Sequence, residues 1–204
     1  FAVGDNGAMV KTNDAGDNWS NINTGITKDI TDIQFISQDT GYMCTEGEYN
    51  SSATRQGELL ETIDGGLTWS SVYQNSSIYN IYSFYKIKGI ENGNVILIGS
   101  YYTYTGNGTS AYISSIDVVS GIRTTLWSHN QRVYFDVYNY SSNSYTLVSG
   151  TSLTSGGTFL ADFIRTSISG LNVSPNYPSP NIGSSLYSID MMDANPINGI
   201  TVGK

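Results

Sequence analysis

Thr12-Asn13-Asp14-Ala15-Gly16-Asp17-Asn18-Trp19 and Thr62-Ile63-Asp64-Gly65-Gly66-Leu67-Thr68-Trp69 follow one pattern, S/T-x-D-x-G-x-x-W. The spacing predicts a tight turn between two strands. The Asp carboxylate accepts backbone N–H groups, the Gly takes a positive φ, and the Trp opens the next strand.

A longer period surrounds these turns. Alternating apolar segments begin at Ile30, Ile81, Arg132 and Leu186, steps of 51, 51 and 54 residues, and glycines end short apolar runs at Gly4, Gly47, Gly99, Gly150 and Gly203. Two independent features therefore share one period, the sign of a repeat architecture. Each period has room for four strands. In the second repeat these are expected at 30–36, 41–46, 58–62 and 68–73. Four short strands per period of this length is the content of one propeller blade.

The octapeptides resemble the Asp-box, or BNR repeat, of β-propellers, with Thr12, Asp14, Gly16 and Trp19 and then Thr62, Asp64, Gly66 and Trp69 as the structural box residues. The longer stretch Val3-Gly-Asp-Asn-Gly-Ala-Met-Val-Lys-Thr-Asn-Asp-Ala-Gly-Asp-Asn-Trp19 is similar to the photosystem II assembly-factor-like propellers found among bacterial secreted and surface proteins. The resemblance implies an all-β fold, a β-propeller of four-stranded antiparallel blades, with binding rather than catalysis as its habit. The expected division of 1–204 is blades at 1–29, 30–79, 80–130 and 131–184 and a partial blade at 185–204. Gly4 and Gly203 fall at the same point of the repeat, and the surplus strand pair suggests a piece of a larger propeller, the alternatives being a small four- or five-bladed ring or one unit in a tandem array. The third repeat stretches the box (Asp117, Gly121, Trp127), and the fourth, near Arg165 and Gly170, has lost it. Propellers with this box carry it on the outer edges of the blades, away from the ligand-binding mouth.

Composition narrows the function. The chain has 204 residues, 39% hydrophobic and 12% aromatic, sufficient for a sizeable core. A formal charge of -8 leaves no electrostatic footprint for nucleic acid or an anionic membrane. No apolar run approaches the roughly 20 residues of a membrane helix. Few charges and abundant Ser, Thr, Asn and Tyr fit an extracellular, cell-surface or periplasmic location. An opening Phe1 fits removal of a signal peptide or trimming of a larger protein.

Catalytic chemistry finds little support. Cys44, the only cysteine, sits in a strand-like segment as a small core residue, and His129 has no metal-ligating neighbour at the right spacing. Sialidases share the box but also need an arginine cluster and a Phe-Arg-Ile-Pro segment; Arg55, Arg123, Arg132 and Arg165 are scattered and the segment is absent. Propeller glycanases need two carboxyls roughly 5 to 9.5 Å apart, one with a raised pKa. Asp32, Asp136 and Asp190 recur in first strands, Glu46 and Glu48 follow a second strand, and Glu58 and Glu61 read as solvated strand positions; none forms an evident pair. No catalytic residue, metal or cofactor is expected. Calcium finds three oxygen-bearing side chains at Asp14, Asp17 and Asn18, but the box turn already accounts for them.

The longest interruption of the repeat is Ser100-Tyr-Tyr-Thr-Tyr-Thr-Gly-Asn-Gly-Thr-Ser110. Tyr101, Tyr102 and Tyr104 are the candidate ligand-binding residues: a tyrosine platform stacks on sugars or packs on a protein at low entropic cost. The alternative is that they extend a strand and pack on the next blade. N-x-S/T matches at Asn18, Asn50, Asn75, Asn107, Asn139 and Asn172 add candidate glycan attachment points. The reading is a non-catalytic extracytoplasmic module binding a protein or glycan partner at the cell surface, or assembling with itself or in a tandem array, without nucleic acid or membrane insertion. The alternative is part of a secreted Asp-box glycoside hydrolase whose acids lie partly outside this chain.

Overall fold

The computed structural model describes the backbone except at residues 51–52, 76, 78–79, 92, 104–108, 131, 142–143, 154–158, 168–185, 192–198 and 204, and describes side chains up to residue 128, apart from those residues and 48–55, 91, 103 and 127. The regular elements of the described chain are strands, apart from a 3-10 turn at Asp5–Gly7.

The second repeat is the best ordered in its logic. Strands β4 (Ile30–Phe35), β5 (Gly41–Thr45), β8 (Glu58–Thr62) and β9 (Ser70–Gln74) form an antiparallel sheet in the order β4-β5-β8-β9. Between its second and third strands, β6 (Glu48–Asn50) and β7 (Ala53–Arg55) pair antiparallel as a separate two-stranded sheet. The expectation of four strands holds, but the hairpin was not foreseen. β5 is buried along its whole length, which is why Tyr42, Met43 and Cys44 run without a polar interruption, whereas β9 begins with exposed serines as the sheet meets solvent.

Before it, β1 (Ala2–Val3), β2 (Met9–Lys11) and β3 (Ser20–Asn21) make a three-stranded sheet. After it, β10 (Asn80–Glu91), β11 (Asn94–Thr103), β12 (Thr109–Asp117) and β13 (Arg123–Asn130) form a second four-stranded sheet of consecutive strands. β14 (Arg132–Ser141), β15 (Ser144–Leu153) and β16 (Phe159–Ser167) follow as an antiparallel meander, then β17 (Leu186–Met191) with β18 (Gly199–Gly203). This is the strand order of β-propeller blades, and the fold class is all-β with four-stranded antiparallel blades. Two compact units emerge, Phe1–Leu97 with Ile116–Arg123, and Ile98–Ser115 with Thr124–Lys204.

The expected first strands fall where the period put them, in β4, β10, β14 and β17. The glycines follow expectation in part. Gly4 directly follows β1 and Gly203 ends β18, but β11 runs past Gly99 and β15 past Gly150. Around Gly150 the ladders to β14 and β16 both shift register, so this glycine sits in a bulge inside a continuing strand.

The core of the first unit centres on Met9, Ile30, Met43 and Leu60, with Phe1, Val3, Ile22, Ile26, Ile33 and Trp69 packed around them. Burying each large apolar side chain contributes about 1.5–3 kcal/mol relative to exposure. Because these residues come from β1 and β2 as well as β4, β5 and β8, the core ties one sheet to the next. Polar groups reinforce the following junction. Thr31 Oγ1 donates to the Phe84 carbonyl at 2.8 Å, and Asp32 Oδ2 accepts from the Ile87 N–H at 3.0 Å.

Candidate functional site

The two octapeptides close alike. Thr12 Oγ1 accepts from the Gly16 N–H at 2.9 Å and donates to Asp14 Oδ1 at 2.7 Å; Thr62 Oγ1 accepts from Gly66 at 2.9 Å and donates to Asp64 Oδ1 at 2.8 Å. Asp14 then takes the Asn18 N–H at 2.9 Å and the Asn18 side-chain amide at 2.7 Å. Asp64 takes Leu67 N–H at 3.0 Å, Thr68 N–H at 2.9 Å and the Thr68 hydroxyl at 2.5 Å. These donors favour the ionised form and hold both carboxyls at about 2, below the ordinary 3.8; the bonds from Asn18 dominate for Asp14 and those from Thr68 for Asp64. Gly16 and Gly66 take φ values of 104° and 88°, as the turn requires.

Such carboxylates have no proton to give at neutral pH and little basicity, and their oxygens are engaged in closing the turns. Calcium at Asp14, Asp17 and Asn18 would compete for Asp14 with the turn bonds, which already engage both of its oxygens. Among the described residues no three His, Cys, Asp or Glu side chains gather as a metal cluster. In the third repeat Asp117 Oδ1 accepts from Val119 N–H, Ser120 N–H and the Ser120 hydroxyl, which lower its pKa, without the Thr bridge of the other two turns. The fourth-repeat counterpart lies outside the described residues after Ser167.

Both tryptophans should pack between layers if the turns are equivalent. Trp69 does, lying edge-on to Phe35 at 6.2 Å, and Phe35 in turn stacks on Phe1 at 4.7 Å. Trp19 does not: it is 49% exposed, and its indole N–H bonds the Gly16 carbonyl at 3.0 Å. The reason lies in the neighbouring strand. Phe35 ends the first strand of a four-stranded sheet, and the β1–β3 sheet has no such strand among the described residues.

The tyrosines divide as adjacent strand residues must, on opposite faces of β11. Tyr101 turns inward and stacks on Tyr112 at 6.4 Å, while Tyr102 is 50% exposed. The two rings therefore do not share one platform. Tyr104 lies outside the described residues.

The acids of the second blade are engaged. Glu58 pairs with the Lys28 ammonium and accepts from Gln74 at 2.8 Å, and Glu61 accepts from the Tyr42 hydroxyl at 2.7 Å. This corrects their reading as solvated strand positions. Burial, then Glu61, raises the Tyr42 pKa above its ordinary range. Asp32 bonds Ile87 N–H and lies 3.8 Å from the Lys86 ammonium; its counterparts Asp136 and Asp190 have described backbones only. Glu46 follows β5, with its N–H on the Asp29 carbonyl at 3.0 Å, and the Glu48 side chain is outside the described residues. Cys44 is fully buried, a setting that pushes its thiol up to about 12, and Thr31 Oγ1 lies 3.3 Å away. It is a core residue. The side chains of Trp127 and His129 lie outside the described residues.

One organising residue left no mark in the sequence pattern. Gln56, buried beside β8, donates to the carbonyls of Ser77 at 2.8 Å and Asn80 at 2.7 Å and accepts from the Tyr82 N–H at 2.8 Å. Its own carbonyl receives the Lys28 ammonium at 2.6 Å. Nearby, Gly47 lies so close to β10 that an added Cβ would fall 2.2 Å from the Tyr82 carbonyl oxygen. A single amide thus fixes where β10 begins, and only the partners' positions, brought together by folding, reveal it.

No protein-family model matches the chain, and no curated protein matches it. Among solved structures, one described as "YCF48 bound to D1 peptide" is similar over 99% of this chain and 70% of that chain, at 14% identity and a TM-score of 0.46.

Proposed function

We propose that the chain is a non-catalytic, extracytoplasmic β-propeller module of the Asp-box type that binds a protein or glycan partner at the cell surface. The observation that carries the reading is Tyr102, a large amphipathic ring half exposed at the end of β11, where the second-to-third-strand connection of its blade begins. Tyrosine in such a place offers contact area with little rotamer entropy to lose. The commitment of Glu58, Glu61 and Asp32 to cations, hydroxyls and backbone amides supports recognition over hydrolysis. The sparse charge and the wealth of hydroxyl side chains support the location.

The test is attachment of the intact chain to an array of surface glycans and immobilised surface proteins, compared with a Tyr102→Ala/Tyr104→Ala variant. Binding should fall at least about tenfold, the effect of losing one or two aromatic contacts, with the unfolding midpoint unchanged. Tyr101 is left in place because its packing on Tyr112 would confuse stability with binding. Undiminished attachment by the variant would overturn the proposal.

A further inference from the structure

The Trp19 and Trp69 turns provide an internal control for what their exposed positions are for. Both close through the same Thr and Asp bonds, yet the second and sixth residues are Asn13 and Asp17 in one and Ile63 and Leu67 in the other. Ile63 is 73% exposed and Leu67 65%. Since a polar pair serves the same turn, the aliphatic pair is not needed to build it. Nor is it isolated. Ile36, also exposed, lies one residue beyond Phe35, which pairs with Gly41, and Gly41 pairs with Thr62; Ile36 and Ile63 therefore flank Thr40 in the next row of the sheet. The two loops are joined by the Gly65 N–H donating to the Asp39 carbonyl at 2.8 Å. In the same unit the Asp117 turn carries Val119, 92% exposed, and Ile122, and a Cβ added at its Gly121 would fall 3.1 Å from the Val72 carbonyl oxygen of β9.

We propose that this aliphatic, acidic tip is a docking surface for a basic, apolar peptide segment of a partner protein. Exposed aliphatic groups gathered at loop tips mark interaction sites more often than scattered ones do. Their chemistry selects the partner. Ile, Leu and Val offer no flat π face for sugar stacking. The charges in these loops are the carboxylates of Asp39, Asp64 and Asp117; of the cations beside them, Lys11 is held by the Gly65 carbonyl at 3.2 Å and the Phe1 ring at 5.1 Å, and Arg123, next to Ile122, lies over the Tyr82 ring at 5.0 Å. Pairing with a second copy of this chain would set like charges against each other, and nucleic acid or an anionic membrane would be repelled. A strand or loop alternating apolar and cationic residues meets both features. The surface is independent of Tyr102, so either reading can fail alone.

The experiment titrates the whole chain with a seven-residue peptide alternating leucine and lysine, and with its leucine and glutamate counterpart. The Ile63→Asn/Leu67→Asp variant, which copies the residues of the Trp19 turn, is compared under the same conditions. Wild type should bind the lysine peptide at least about tenfold more tightly than the variant does, as expected when two aliphatic side chains lose their cover, and should not bind the glutamate peptide. Amide shifts of the wild-type chain, read at residues 63–67 as the peptide is added, give the answer without any substitution. Equal affinity of wild type and variant, equal binding of the glutamate peptide, shifts elsewhere only, or wild-type self-association that the variant loses would each overturn the proposal.

Discussion

Trp19 stands half exposed with its indole N–H on the Gly16 carbonyl, while Trp69 lies edge-on to Phe35 and its N–H is buried without an acceptor among the described residues. The turns beneath them are nearly superposable in their bonds, and their aspartates are held at the same low pKa. The difference shows that the turn is a local device, closed within eight residues, whereas the use of its tryptophan is decided by the neighbouring strand. Where that strand carries Phe35, the indole gives up a hydrogen bond for packing. An unpaired buried donor costs about 1–3 kcal/mol, so the packing at Trp69 must exceed that.

The comparison breaks most visibly at the rings. Trp69→Ala should lower the unfolding free energy by about 3 kcal/mol, the low end for deleting a large buried aromatic, because part of the loss is returned with the unpaired N–H. Trp19→Ala should cost under about 1 kcal/mol, as for other exposed positions. Denaturant unfolding of the two variants side by side checks both figures; similar losses would mean that the two sites are packed alike.

The glycines sharpen it next. Both Gly16 and Gly66 need positive φ, which penalises alanine by about 1–2 kcal/mol. At Gly66 an added Cβ would also fall 3.0 Å from the Phe1 ring, whereas at Gly16 its nearest neighbour is Trp19 at 3.9 Å. Gly66→Ala should therefore destabilise by about 1 kcal/mol more than Gly16→Ala, a modest overpacking cost, in the same unfolding experiment.

Acid should treat the two turns alike. A carboxyl whose folded pKa is about 2 contributes stability that is fully present above the unfolded value near 4 and is lost as pH falls through about 2. The melting temperature should lose this contribution between those values, and Asp14→Asn and Asp64→Asn should each flatten that part of the profile. A steeper loss from one turn than from the other would show that packing reaches the carboxylates after all. Smaller still is the effect at Ala15, which holds φ 59° where the other turn has Gly65 at 72°. Ala15→Gly should stabilise by about 0.5–1 kcal/mol, the strain relieved less the entropy that glycine adds to the unfolded chain.

The parts that the sequence announced are those with local causes. The Thr12 and Thr62 turns, the first strands and the buried run at Met43 and Cys44 follow from spacing, alternation and hydrophobicity within a few residues. What it hid depends on groups distant along the chain: the Gln56 amide reaching Ser77, Asn80 and Tyr82, the Lys28 ammonium meeting Glu58, and the Phe35 ring that covers Trp69 but has no counterpart over Trp19. The tyrosine segment was half legible. Its richness in rings marked it, but strand alternation sent Tyr101 to Tyr112 and left Tyr102 outside.

The proposal that the chain recognises rather than cleaves rests on Glu58, Glu61 and Asp32 being committed to structural partners, and the most direct measurement is the release of reducing ends when the intact chain is incubated with soluble polysaccharides. No release above buffer is predicted at any pH where the chain is folded. Release that disappears on Glu58→Gln or Glu61→Gln would contradict the account and make this chain an enzyme.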